Sequence, residues 1–212
     1  MATEPGRPLR RDAAENRERL LAAANQVFAE HGLAASVDEV AQAAGVGMGT
    51  LYRRFPSKQA LIDALVASLR HELLRLARAA QQHQDGSGLA RLLHAAGELQ
   101  AAQPACLQRL WRNSEVEPAA VAEIRQIFAE LLADAQRHGM VRPDVTSTDI
   151  SLVVWSMVGV IATTGAVAPT AWRRHLELLL AGLRPGGQPA AEFAEPPLTA
   201  DAAAEIAGRP AS

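Results

Sequence analysis

The sequence predicts an all-α protein, and three observations carry that reading. Apolar residues recur at i, i+3/i+4 and i+7 through most of the chain, the spacing of helices with one buried face. Gly and Pro punctuate these stretches as stops and starts. No period-two run of β-branched residues survives to make a strand. The expected architecture is an N-terminal three-helix unit with a helix-turn-helix, followed by a larger helical domain.

The first helix is expected over 12–31. Leu20, Leu21, Ala24, Val27 and Phe28 form its stripe, Asp12 and Glu15 are spaced as a capping box, and Gly32 is the stop. A second box, Ser36 with Glu39, opens a short helix that Gly45 ends. After the turn Gly45-Val46-Gly47, residues 48–55 form another short helix before Pro56. Ser57 caps a long fourth helix with the seam Leu61, Leu65, Leu69, Leu73 and Leu76. Residues 83–88 are polar and Gly-bearing, a loop, and helical patterns resume over 89–103, 104–113, 118–138, 147–164 and 171–183. Beyond Arg184 the Pro/Ala/Gly/Glu-rich tail has too little apolar surface to repay its ordering entropy. It is expected to be disordered, apart from a short helix over 199–207 if a partner surface covers it. These divisions give domains 1–58 and 59–184 and a tail 185–212.

Composition narrows the function. At 212 residues the chain can bury a sizeable core, and 49% hydrophobic against 21% charged residues excludes wholesale disorder. A single cysteine, Cys106, excludes an internal disulfide framework and a Cys-cluster zinc site. Beside Leu107 and Leu110 it reads as a small buried hydrophobe, with a redox-sensing thiol as the alternative. The first dozen residues are polar and Pro/Arg-rich and unlike a secretion leader, so a cytoplasmic protein is expected. His71-Glu72-Leu73-Leu74-Arg75 begins like a zinc-protease helix but has Arg where the second imidazole must stand, so the metal would lack a ligand. With no Ser/His/Asp grouping, P-loop or dinucleotide fingerprint in view, no catalytic residue, metal or cofactor is expected. Residues 150–172 carry no charge over 23 positions and pass as a membrane span by hydropathy. Gly159, Gly165, Pro169 and five Ser/Thr argue instead for a helix buried on every side, between the body and a partner subunit, with no membrane.

A net charge of −2 gives no global basic signature, so a nucleic-acid partner must be argued locally. From residue 45 to 60 there are three cations, Arg53, Arg54 and Lys58, and no acid. Over 1–58 eight cations meet seven anions, so the basicity is a face and not a domain-wide property. Val40, Ala41 and Leu51 can pack together and fix the crossing of the two short helices. Met48, Gly49, Thr50, Tyr52 and Arg53 then point outward, where a major groove could receive them.

The run Ser36-Val37-Asp38-Glu39-Val40-Ala41, followed by Ala44-Gly45-Val46-Gly47-Met48-Gly49-Thr50-Leu51-Tyr52-Arg53-Arg54-Phe55-Pro56-Ser57-Lys58, closely resembles the DNA-binding segment of tetracycline-repressor-type (TetR family) regulators. The match is ungapped from about Arg17 to Leu65 and includes Phe28-Ala29-Glu30-His31-Gly32. Gly139-Met140-Val141-Arg142-Pro143-Asp144-Val145 and Trp172-Arg173-Arg174-His175-Leu176 resemble, more loosely, the SbtR-like bodies of that family. The resemblance implies a homodimeric repressor whose heads bind double-stranded DNA at a palindromic operator and whose bodies bind a small-molecule inducer. It implies DNA contacts at Ser36, Gly47, Met48, Gly49, Thr50, Tyr52, Arg53, Arg54 and Lys58. Gly47 departs from the family, which commonly has Ser or Thr there; it caps tolerably but offers no hydroxyl.

Tyr52 reads as a phosphate contact against a buried ring, and Lys58 as a phosphate ligand at a helix start. Arg54 is balanced between a solvated face and a backbone contact, and Phe55 is core. Arg10 and Arg11 read as a solvated arm, with minor-groove insertion the alternative. In the body Trp111, Phe128 and Trp155 are expected to line an apolar pocket, with His94 and Arg109 as polar handles; plain core packing is the alternative for each tryptophan. The helices over 147–164 and 171–183 should pair with their symmetry mates, burying Val154, Val158, Leu176 and Leu180. Two other readings remain open: a ligand-binding or redox-sensing module without DNA binding, and a single-span membrane-associated helical protein.

Overall fold

The computed structural model describes residues 7–103, 117–186 and 200, and among these it contains eight helices and no strand. They are α1 (Arg7–His31), α2 (Val37–Ala44), α3 (Met48–Arg54), α4 (Lys58–Ala80), α5 (Gly88–Ala102), α6 (Pro118–Arg137), α7 (Ser147–Thr164) and α8 (Ala171–Leu183). The chain divides into two compact units at Ser68/Leu69, within α4. The expected helix over 104–113, with Cys106, Arg109 and Trp111, and the tail helix over 199–207 lie outside the described residues, Ala200 excepted.

In the first unit α1 packs along α2, and Leu20, Ala24, Val27 and Phe28 are buried as their spacing requires. Its start differs from expectation: the helix begins at Arg7, and the Asp12–Glu15 pair lies inside it. Pro8 falls in the first turn, where its missing N–H breaks no bond, and no Gly or Pro follows before Gly32. Nothing local therefore stops the helix from extending toward the N-terminus.

α2 is held at both ends. Ser36 accepts from the Glu39 N–H while Glu39 accepts from the Ser36 N–H, a complete capping box. Gly45, at φ 65°, takes the left-handed conformation that closes the helix, with Gly45 N–H donating to Gln42 O and Val46 N–H to Ala41 O. Val40, Ala41 and Leu51 are buried together, as expected. Ser57 Oγ accepts from Ala60 N–H at 3.1 Å and starts α4. Leu61, Leu65, Leu69 and Leu73 are buried along α4, but Leu76 is half-buried and the seam continues through Leu74, Ala77 and Ala80.

In the second unit α5 packs against α6, α7 and α8, and α7 packs against α8. The inward stripe of α5 is Leu89, Leu92, Leu93, Ala96, Gly97 and Gln100. Gly97 is required by close approach, since a Cβ there would collide with the Trp172 indole. Among the described residues Trp172 is the largest fully buried side chain. Gln136 Nε2 donates to Arg142 O (3.0 Å) and Val145 O (2.9 Å), fixing the turn into α7, which Thr146 and Asp149 cap as a second box. α6 opens at Glu117, held at φ 57°, whose carboxylate meets Arg70 Nη1 at 3.8 Å and His71 Nε2 at 3.3 Å. Burial pulls the Arg70 guanidinium below its ordinary value, and Glu117 opposes that shift.

One expectation about assembly is corrected here. Val154 and Leu176 are buried inside the single chain, on helices that pack against α5 and against each other. They cannot also pack on a symmetry mate. Val158 and Leu180 are half-buried, while Leu152 and Leu178 are 44% and 61% exposed.

Candidate nucleic-acid interface

The recognition face is built from inside out. Leu51 and Phe55 are buried one turn apart and anchor α3 to the unit, with Phe55 N–H closing the helix onto Leu51 O at 2.8 Å. A seven-residue helix anchored along one side must present its remaining positions outward. Gly49, Tyr52, Arg53 and Arg54 are exposed, Tyr52 at 46%, and Met48 and Thr50 are half-buried at the edge of that face. Arg53 donates to Thr50 Oγ1 at 3.2 Å, so the two side chains lie side by side on α3.

Gly47 stands at the N-cap of α3 without a side-chain bond, and a Cβ at Gly47 or Gly49 would meet nothing within 4 Å. Neither glycine is required by the packing of the chain itself. Lys58 opens α4, half-buried, with Nζ 5.9 Å from the centroid of the Phe28 ring. The only lysine of the chain is therefore positioned against α1 as well as at a helix start.

Ser36 is exposed, but its hydroxyl is engaged in the α2 box, donating to Glu39 Oε1 at 2.9 Å. Glu39 Oε2 in turn meets His31 Nδ1 at 2.9 Å, a link between the end of α1 and the start of α2. The Ser36 backbone and side-chain bonds, then the His31 bond, hold the Glu39 carboxyl below its ordinary value. No sequence signal identifies this link, because a His and a Glu eight residues apart across a turn have no motif. The arm residues Arg10 and Arg11 lie within α1.

Residues 20–65 match the model of the tetR family of bacterial regulatory proteins, and residues 87–185 match that of the SbtR-like transcriptional regulator C-terminal domain. The crystal structure of a TetR transcription regulatory protein from Mycobacterium vanbaalenii is 33% identical, covering 84% of this chain and 100% of that one at a TM-score of 0.62. The chain belongs to the TetR family of transcriptional regulators. A TetR regulator from Streptomyces coelicolor is similar at 30% identity over 81% of this chain and 99% of its own, with a TM-score of 0.56. The regulator UidR of Escherichia coli is 28% identical over 165 residues, 71% of this chain and 82% of UidR.

As a TetR-family protein the chain is a DNA-binding transcriptional regulator, and its second unit is the body of that fold. Of the body residues expected to meet a ligand, His94, Phe128 and Trp155 are half-buried on α5, α6 and α7. His94 lies against Trp172, ring centroids 6.5 Å apart, a tryptophan that the expected set leaves out. Among the described residues no cluster of three His, Cys, Asp or Glu could hold a metal. At the failed protease-like motif, Arg75 Nε donates to Glu72 Oε2 at 2.8 Å and His71 faces Glu117. Among the described residues one helix, α7, is long and apolar enough to cross a membrane.

Proposed function

We propose that the protein is a homodimeric, cytoplasmic repressor that a small-molecule ligand releases from a palindromic operator. The observation that carries this reading is the outward face of α3 and the start of α4, with Arg53, Arg54 and Lys58 and no acid from residue 45 to 60. Tyr52, Thr50, Arg54 and Lys58 contact phosphates, and Ser36 and Gly47, at the starts of α2 and α3, adjoin the DNA backbone. Met48, Gly49 and Arg53 face base edges, and Arg53 reads guanine. The pairing surface is the outer side of α7 and α8, where Leu152 and Leu178 stand exposed on helices whose inner faces are already filled.

The ligand enters the body near His94, Phe128 and Trp155, with Arg109 and Trp111 completing the set. It releases DNA by binding more tightly to the dimer whose heads are wrongly spaced, since equal affinity for both states shifts nothing. α4 is the lever, because one continuous helix begins at the DNA face and runs into the body. The test is fluorescence anisotropy of the full chain against the DNA upstream of its own gene. Tight binding there with a symmetric footprint is expected; equal affinity for a scrambled duplex overturns the reading.

A further inference from the structure

Two polar side chains are buried in the described core, Arg70 and Gln100, and they are not equivalent. Arg70 has the Glu117 carboxylate beside it. Gln100 is 2% exposed, and among the described residues neither its Nε2 nor its Oε1 has a hydrogen-bond partner. Its backbone is satisfied, with Gln103 N–H donating to Gln100 O at 3.1 Å, so the open capacity belongs to the carboxamide alone. The side chain continues the inward stripe of α5, one turn beyond Ala96 and Gly97, on the helix that packs against α6, α7 and α8. A buried amide without a partner is costly, and an apolar residue of the same size would serve packing better.

We propose that Gln100 is the polar contact for the effector, and that the effector is a neutral, largely apolar molecule with a hydrogen-bond donor and acceptor side by side. This rests on the reading of the body as a ligand-binding unit. A primary carboxamide offers N–H and C=O in one plane, so its complement is an edge that reverses them, such as the cis-amide of a lactam or an imide. The apolar neighbours on the stripe, Leu92, Leu93 and Ala96, call for an apolar remainder. Arg70, already paired with Glu117, does not call for an anionic group.

The experiment is thermal unfolding of the full chain, without DNA, in the presence of ε-caprolactam or cycloheptanone, rings that differ by one N–H. In the wild type, caprolactam at ten times its Kd should raise the Tm by about 3 °C, and cycloheptanone at the same concentration by less than half of that. Q100M, close in size but without the amide, should respond equally to both and unfold at a higher temperature when unliganded. Equal shifts with the two probes in the wild type, no shift with either, or an unchanged lactam preference in Q100M overturns the proposal. The wild-type comparison stands even if Q100M does not fold. Operator binding is measured separately, so loss of DNA recognition and loss of lactam preference are read independently.

Discussion

Tyr52 and Arg53 are both exposed on α3, Arg53 beside Thr50, and Lys58 opens α4. In the proposed docking Tyr52 and Lys58 contact phosphates, which every sequence supplies, while Arg53 meets base edges. Y52F and K58A should therefore weaken binding to operator and random DNA alike, with K58A lowering the salt slope by about 1. R53A should relax preference at one base position per half-site, a loss of about 1–3 kcal/mol of discrimination. Anisotropy titrations over single-base operator variants at several salt concentrations check both, and an unchanged salt slope in K58A removes Lys58 from the interface. Gly97 gives a residue-scale prediction about the core. G97A forces a methyl into the Trp172 ring and should cost about 1–3 kcal/mol, read by urea unfolding.

At the scale of elements, helix ends decide how well this chain is ordered. The Ser36–Glu39 box starts α2 and, through His31, ties it to α1. S36A should cost about 1 kcal/mol of unfolding free energy. Because the folded Glu39 carboxyl lies below its ordinary value, its contribution is fully present above the ordinary carboxylate range. It disappears as the pH falls through the lowered folded value, so the difference between wild type and E39Q should shrink in acid. Unfolding midpoints at neutral and acidic pH measure this, and a gap independent of pH contradicts it. Gly47 invites the opposite change: G47S adds a cap where a Cβ meets nothing, and should stabilise α3 by a few tenths of a kcal/mol. These boundaries were legible because caps and glycine stops are local, and α7 and α8 run over the residues expected of them. The start of α1 was not, because a capping-box spacing inside an unbroken helical run resembles one at its end.

For the whole molecule, the question is what covers the outer faces of α7 and α8. Ile150, Val153, Val154, Met157 and Ile161 fill the inner side of α7, yet Leu152 remains 44% exposed, and Leu178 on α8 61% exposed. L178E should convert a dimer into a folded monomer, seen by sedimentation at micromolar concentration with helicity retained. A variant that stays dimeric excludes this face. The periodicity of α7 and α8 showed that both are apolar but not which positions face inward, since that depends on α5, which ends at Ala102, meeting helices that begin at Ser147 and Ala171. Trp172 against Gly97, Glu117 against Arg70 and the unpaired amide of Gln100 were hidden for the same reason. The outward face of α3 was legible because its residues lie within one short stretch of sequence.

The placement of Lys58 has a spectroscopic use. It is the chain's only lysine, so reductive methylation with ¹³C-formaldehyde installs a single side-chain dimethylamine. Held 5.9 Å from the Phe28 ring centroid, those methyl groups experience its ring current. If the ammonium turns toward a phosphate when the operator binds, their resonance moves, and one NMR peak then reports the docking of each head without a mutation.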